Sequence, residues 1–137
     1  MAKWVLLVEP DHENAFKLKE NHVTKRIELF APTILTIEVT NALWKAVRLK
    51  RLPQEDAQVA LKTLGDIKIK LLELDWADTS EILKIAIALD LAVYDATYLF
   101  LTRKIKAHFI TSDNKLYEKA KNLFEVVHLK DYPTNAP

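Results

Sequence analysis

No cysteine occurs among the 137 residues. That absence excludes disulfides, thiolate-ligated zinc, iron–sulfur clusters and a cysteine nucleophile, and it suits a reducing or a hot environment. Glycine is almost as scarce, with one residue in 137 against about 7% in ordinary proteins. A single glycine cannot build a Gly-rich phosphate loop or a dinucleotide fingerprint. It also leaves little material for glycine-dependent turns, so helices are expected to dominate. Long apolar runs are missing too. Trp4 to Val8 and Tyr98 to Leu101 fall far short of the roughly 20 residues that span a bilayer, and Met1-Ala2-Lys3 lacks the charged, apolar and cleavage regions of a signal peptide. Nor does one sign of charge prevail: 20 Lys and Arg against 19 Asp and Glu give +1, which names no partner. The expectation is a cytoplasmic protein with no membrane association.

Half of the residues are apolar and 28% are charged, a balance that supports one folded domain over residues 1–137 with a polar tail from about residue 131. A chain of this length buries roughly two-thirds of its unfolded surface without covalent staples. Asp11, behind Pro10, is placed to cap a short amphipathic helix running to His22. Ile27 to Phe30 alternates like a strand and stops at Pro32. Thr33 to Lys50 then carries Leu35, Val39, Ala42, Leu43, Ala46 and Leu49 on one stripe, a second helix whose apolar side is expected to meet the core. Pro53 opens a helix from Gln54 to Leu64, with Gly65-Asp66 as its stop.

Ile67 to Leu74 reads as a strand, and Asp75 or Asp78 caps a helix to about Leu89. From Asp95, the segment Ala96 to Leu101 is apolar nearly all round, the pattern of a buried helix. His108 to Thr111, Asn114 to Leu123 and Glu125 to Leu129 follow as strand, helix and strand. Strands separated by helical crossovers predict an α/β fold with a mainly parallel sheet and helices on both faces. Ligands gather at the carboxyl ends of such strands.

Three acids stand out from their surroundings. At about 100° per residue, the apolar stripe of the second helix centres on Ala42 and Ala46, with Glu38 on its shoulder. Glu38 either reaches to solvent, with Lys45 as a partner, or serves a site at the core edge. Asp95 starts the most apolar helix, where a helix dipole alone accounts for it, and Asp113 follows a strand directly, where an N-cap does. Convergence adds the second possibility. Asp113 lies at a strand's carboxyl end, and Glu38 and Asp95 each lie near a helix start on the face turned to the core. Two carboxylates about 5 Å apart repel by roughly 3 kcal/mol at an effective dielectric near 20, so a cluster takes up protons or binds a cation. Oxygen ligands without Cys or paired His suit Mg²⁺ or Mn²⁺. The histidines at 12, 22, 108 and 128 show no zinc-like pairing. Trp4, Trp44 and Trp76 read as core or interface anchors. Lys45 and Arg48, with Lys50 and Arg51 beyond, are placed either to touch phosphates or to form a solvated basic face.

Three blocks carry a family resemblance: Ala31-Pro32-Thr33 running into Glu38-Val39-Thr40-Asn41-Ala42-Leu43-Trp44-Lys45-Ala46, Leu91-Ala92-Val93-Tyr94-Asp95-Ala96-Thr97-Tyr98-Leu99, and Ile110-Thr111-Ser112-Asp113-Asn114-Lys115-Leu116. In this order and spacing, from about Lys3 to Leu129, the chain resembles PIN-domain proteins, most closely the VapC-type toxins of prokaryotic toxin–antitoxin pairs. The resemblance implies a three-layer PIN-like fold and a metal-dependent endoribonuclease. Glu38, Asp95 and Asp113 would be the acidic Mg²⁺ or Mn²⁺ ligands, with Thr111 and Asn41 as polar supports. It also implies an RNA substrate, a cognate antitoxin that occupies a groove by the active site, and a homodimer.

One departure accompanies it. Family members begin with an apolar strand that ends in the first catalytic Asp and lies centrally in the sheet, whereas Met1-Ala2-Lys3-Trp4 looks like the helix that follows. The first family strand is therefore expected to be missing or replaced, either because the start codon lies further upstream or because this is a decayed copy. A local reading offers a third route, in which Val5 to Val8 is itself a strand ending at Glu9, with Asp11 close behind. The family alignment instead makes Glu9 and Asp11 the approach to the next helix and leaves them out of the site. An alternative function follows: a catalytically impaired PIN-fold binding module that pairs with an antitoxin or another PIN protein.

Overall fold

The computed structural model describes the backbone of residues 2–7 and 13–132 and the side chains from Lys17 to Tyr132. Five strands form one sheet in the order β3-β2-β1-β4-β5, with β1 at Ala2–Leu7, β2 at Ile27–Pro32, β3 at Lys70–Leu72, β4 at His108–Thr111 and β5 at Val126–His128. Every pairing is parallel. Parallel neighbours need crossover connections, and here helices supply them. They are α1 (Glu13–Val23), α2 (Ile34–Arg48), α3 (Gln54–Asp66), α4 (Trp76–Leu89), α5 (Val93–Lys104) and α6 (Asn114–Ala120).

β1 corrects the expectation of a missing first strand. Ala2 to Val5 pair with Ile27 to Phe30 on one side, and Trp4 to Leu7 pair with His108 to Thr111 on the other. The opening segment is therefore the central strand and not the start of a helix. Its run of apolar residues satisfies either assignment locally, and two flanking strands that would otherwise lack a partner decide it. The expected cap at Asp11, the acids Glu9 and Asp11 as continuations of β1, and the tail from residue 133 lie outside the described residues.

Alternation along the strands sorts the core into two layers. On one face, Phe30 and Phe109 pack with Ile82, Ile85 and Ala86 of α4, Tyr98, Leu99 and Leu101 of α5, and Leu116 and Ala120 of α6. On the other, Ile27, Leu29 and Ile110 pack with Leu18 of α1 and with Leu129 and Tyr132. Helices thus cover both faces of the sheet, as the pattern predicts. Asp75 caps α4 by accepting the Ala77 and Asp78 backbone N–H groups, while Asp78 accepts the Asp75 N–H. The sequence's two candidates for that cap are the two halves of one capping box. Its bonds, together with Lys104 at 3.1 Å, hold the Asp78 carboxyl below the usual carboxylate range.

Two expectations fail. The stripe on α2 meets the core only at its start, where a half-buried Leu35 packs against it, and none of that helix's residues is fully buried. Periodicity correctly marks an apolar side, but α2 packs on α3 and, at its start, on β2. Ile37, Trp44 and Leu49 are largely exposed, as is Trp76 of α4, which removes Trp44 and Trp76 from the core. α3 takes in Gly65 and ends at Asp66, two residues past the expected Leu64, so Gly65 is not its cap. Helices end instead on residues with left-handed backbone: Lys25, Lys50, Lys68, Asp90 and Lys106 have φ between 52° and 63°. Behind Lys25, Lys50 and Lys106, the next N–H reaches back five residues (Arg26 to Asn21, Arg51 to Ala46, Ala107 to Thr102), the bonding of a Schellman cap. Lysine occupies positions where glycine is the usual choice.

Candidate active site

The sheet changes direction at its centre. From β1 the chain steps outward through β2 and β3, then returns to add β4 and β5 on the other side. The crevice at the carboxyl ends of β1 and β4 is thus the switch point where parallel sheets bind ligands. Two of the three sequence acids enter from strand ends: Asp113 two residues beyond β4, and Glu38 on the first turns of α2, which follows β2. Asp95 comes from the first turn of α5, which packs across β1, β2 and β4.

Electrostatics brings the three together. Burial pushes the Asp95 carboxyl up from its ordinary value, and the charges of Asp113 and Glu38 add to that rise. Three segments far apart in sequence therefore place carboxylates in one field. Among the described residues none of the three is ion-paired with a Lys or Arg.

Each acid is held differently. Glu38 Oε1 accepts a hydrogen bond from the Tyr98 hydroxyl at 2.6 Å. Tyr98 is fully buried, and burial followed by the Glu38 contact pushes its phenol above the ordinary tyrosine range. Asp113 caps α6, accepting the Leu116 N–H at 3.0 Å, while its own N–H donates to Thr111 Oγ1 at 3.1 Å. The bland N-cap account of Asp113 is therefore true, and it leaves the second carboxylate oxygen for other use. Thr111 is completely buried, and its hydroxyl supports the Asp113 turn. Asn41 is exposed, and no hydrogen bond among the described residues ties it to the acids. Lys45 is exposed as well, and Arg48 lies over the Trp44 ring, 5.4 Å from its centroid.

The donor set suits a hard divalent cation in its chemistry: carboxylate oxygens, no sulfur, and negative charge that has no Lys or Arg ion pair among the described residues. In their present rotamers, no three Asp, Glu or His side chains among the described residues close on a common metal position. One oxygen of Glu38 and one of Asp113 are engaged inside the protein, so an ion would take the remaining oxygens. Sequence reasoning treats Tyr98 as core packing and so misses its contact with Glu38. The signal was available in part, since a hydroxyl one turn after Asp95 in an otherwise apolar helix needs a buried partner.

The sequence matches the PIN domain family over residues 3–122, a span that begins within β1 and includes all three acids. The chain belongs to the PIN domain family. Two Pyrobaculum aerophilum proteins are similar to this PIN chain: one named Ribonuclease VapC3 is 36% identical over 104 residues, covering 73% of this chain and 77% of that protein. The other, named Exonuclease VapC9, is 34% identical over 104 residues, covering 74% and 75%. A crystal structure of PAE2754 from Pyrobaculum aerophilum superposes with a TM-score of 0.64 at 21% identity, covering 94% of this chain and 92% of that one. That likeness supports the PIN fold alone. No single helix among the described residues is long and apolar enough to cross a membrane.

Proposed function

We propose that this PIN protein is a VapC-type endoribonuclease that hydrolyses RNA phosphodiesters with Mg²⁺ or Mn²⁺ held by Glu38, Asp95 and Asp113. One observation carries the reading: burial raises the Asp95 carboxyl above its ordinary value and the charges of Asp113 and Glu38 raise it further, at the carboxyl end of the sheet. Like charges gathered at a ligand-binding crevice are stable only when a proton or a cation joins them. A bound divalent ion would supply acidity to an attacking water and would neutralise charge on the phosphate. Glu38 and Asp95 would hold it from the two helices, and Asp113 from the β4 side. Lys45 and Arg48 would meet RNA phosphates beside Glu38.

The same reading assigns partners. An amphipathic helix without a buried residue, bearing exposed Ile37, Trp44 and Leu49, is suited to cover by another protein. A cognate antitoxin and a second copy of this chain are the partners proposed.

The deciding experiment is cleavage of a mixed RNA pool with Mn²⁺ or Mg²⁺, against EDTA and Asp95→Asn. Cleavage lost in both controls supports the nuclease, and no cleavage in any condition refutes it. Circular RNA separates internal cutting from attack at an end, since only an endonuclease opens a circle. A second reading, a PIN protein that binds an antitoxin without catalysis, draws on the internal engagement of Glu38 and Asp113. It predicts tight antitoxin binding with circular and linear RNA both intact.

A further inference from the structure

We propose that Tyr98 is the positioning residue for Glu38: by donating to Oε1 at 2.6 Å, its hydroxyl holds this carboxylate beside Asp95 and leaves Oε2 for the divalent ion. The inference rests on the metal-dependent reading above and adds to it the means by which one ligand is aimed.

Tyr98 has the properties of a fixed donor. It is 0% exposed, and its ring packs against Phe109 at a centroid distance of 6.5 Å and a tilt of 49°. A buried phenol carries a hydroxyl that is costly to leave without a partner. Glu38 supplies that partner across 60 residues of sequence. A donor locked in the core to an ionised acceptor is the stronger class of hydrogen bond and has one direction in space.

Glu38 is the side chain that needs such a clamp. It stands on α2, whose residues are nowhere fully buried, and it has three side-chain torsions to spend on solvent. It shares a field with Asp95, where the Glu38 charge adds to the rise that burial causes. Unclamped, it would swing outward. Asp95 and Tyr98 are three residues apart on α5 and so lie on one side of that helix. A single helix thereby supplies one acid directly and restrains a second from another element.

The test uses the full chain and Mn²⁺ alone, with binding measured from the electron paramagnetic resonance signal of free Mn²⁺. Tyr98→Phe keeps the ring and removes the hydroxyl. Its Mn²⁺ dissociation constant is expected to rise about tenfold, the usual effect of losing one hydrogen bond to a charged group. In a Glu38→Gln background the same change is expected to add nothing, because the clamp no longer has its charge to hold. In RNA cleavage, the half-saturating Mn²⁺ concentration rises by about the same factor while kcat at saturating Mn²⁺ stays within about twofold.

Wild-type Mn²⁺ affinity in Tyr98→Phe, or an equal loss in the Glu38→Gln background, would overturn the proposal and leave the nuclease reading standing. A wild-type chain that binds no Mn²⁺ would overturn both. Should Tyr98→Phe lose its cooperative melt, Glu38→Asp replaces it, since one methylene fewer withdraws the carboxylate from the hydroxyl. A tenfold weaker Mn²⁺ complex is again expected, and unchanged affinity would overturn the clamp.

Discussion

Nε2 of His128 donates to Oδ1 of Asn114 at 2.7 Å, tying the end of β5 to the first residue of α6. The donor is identified by the ring's other nitrogen, which accepts the Lys130 backbone N–H at 3.1 Å and so carries no proton. The Asp113 turn is thereby restrained from two sides, by Thr111 before it and by His128 through the residue after it. His128→Phe, which fills similar space and cannot bond, is expected to lower unfolding stability by about 1–3 kcal/mol. Urea denaturation with an unchanged slope measures it; a midpoint equal to wild type would show that water replaces both bonds.

Asp95 gives the stability of the metal-free protein a pH dependence of definite sign. Its folded pKa is raised above the ordinary 3.8, so the group favours folding fully below that value and loses the contribution as pH rises through the folded pKa. In EDTA at pH 7, Asp95→Asn is therefore expected to melt above wild type, by less than about 1 kcal/mol because the site is half open to solvent. The gap closes towards pH 4. Adding Mn²⁺ stabilises wild type by mass action and reverses the order. Thermal melts across pH, with and without the ion, check both signs.

The register of β1 against β4 sets Leu7 beside Thr111. In sequence, Glu9 follows Leu7 by two residues, as Asp113 follows Thr111. Glu9→Gln is expected to lower Mn²⁺-dependent RNA cleavage by about tenfold or more, and Asp11→Asn by much less. Equal rates for Glu9→Gln and wild type would return that acid to the approach of α1.

Backbone strain predicts two stabilising exchanges. Lys50 sits at φ 58°, where a side chain costs about 1–2 kcal/mol relative to glycine's freedom. Gly65 lies inside α3, and a β-carbon there would meet nothing within 4 Å. Lys50→Gly and Gly65→Ala are each expected to add about 0.5–1 kcal/mol. Their sites are far enough apart in the helix pair for the gains to add, which the double variant's melting temperature tests.

The exposed side of α2 carries the partner expectation. Trp44 is 54% exposed, so Trp44→Asp is expected to leave the melt of the isolated chain within about 0.5 kcal/mol of wild type. The same change is expected to weaken self-association or antitoxin capture, read by size-exclusion chromatography with light scattering. Unaltered assembly would place the covering partner elsewhere.

What the sequence discloses follows from the range of each interaction. The α4 cap at Asp75 and Asp78 and the Asp113 cap are legible because both partners lie within three residues. α5 is legible as a buried helix because its apolar residues run around it, and six of its twelve residues are in fact buried. α2 misleads in one respect: amphipathic spacing reveals an apolar side but not what covers it. The identity of β1 depends on two strands that arrive later in the chain, beyond the reach of a window of six residues. Glu38, Asp95 and Asp113 are nominated by their surroundings, whereas the bond from Tyr98 to Glu38 joins positions 60 apart, and the sequence shows only that a hydroxyl in an apolar helix needs a partner, not which one. The left-handed lysines are equally silent, because lysine is not a residue that announces such a backbone.

The place of β1 bears on how the molecule is made. Its inner partner on one side, β4, begins only at His108, so a nascent chain completes β1 and β2 long before the other edge of β1 can be filled. Until then the middle of the future sheet is an open edge, and non-local parallel pairing closes it slowly. Synthesis therefore exposes this strand to wrong neighbours for most of translation. A change that weakens Ala2–Leu7 would split the sheet at its centre where the loss of an outer strand would only narrow it.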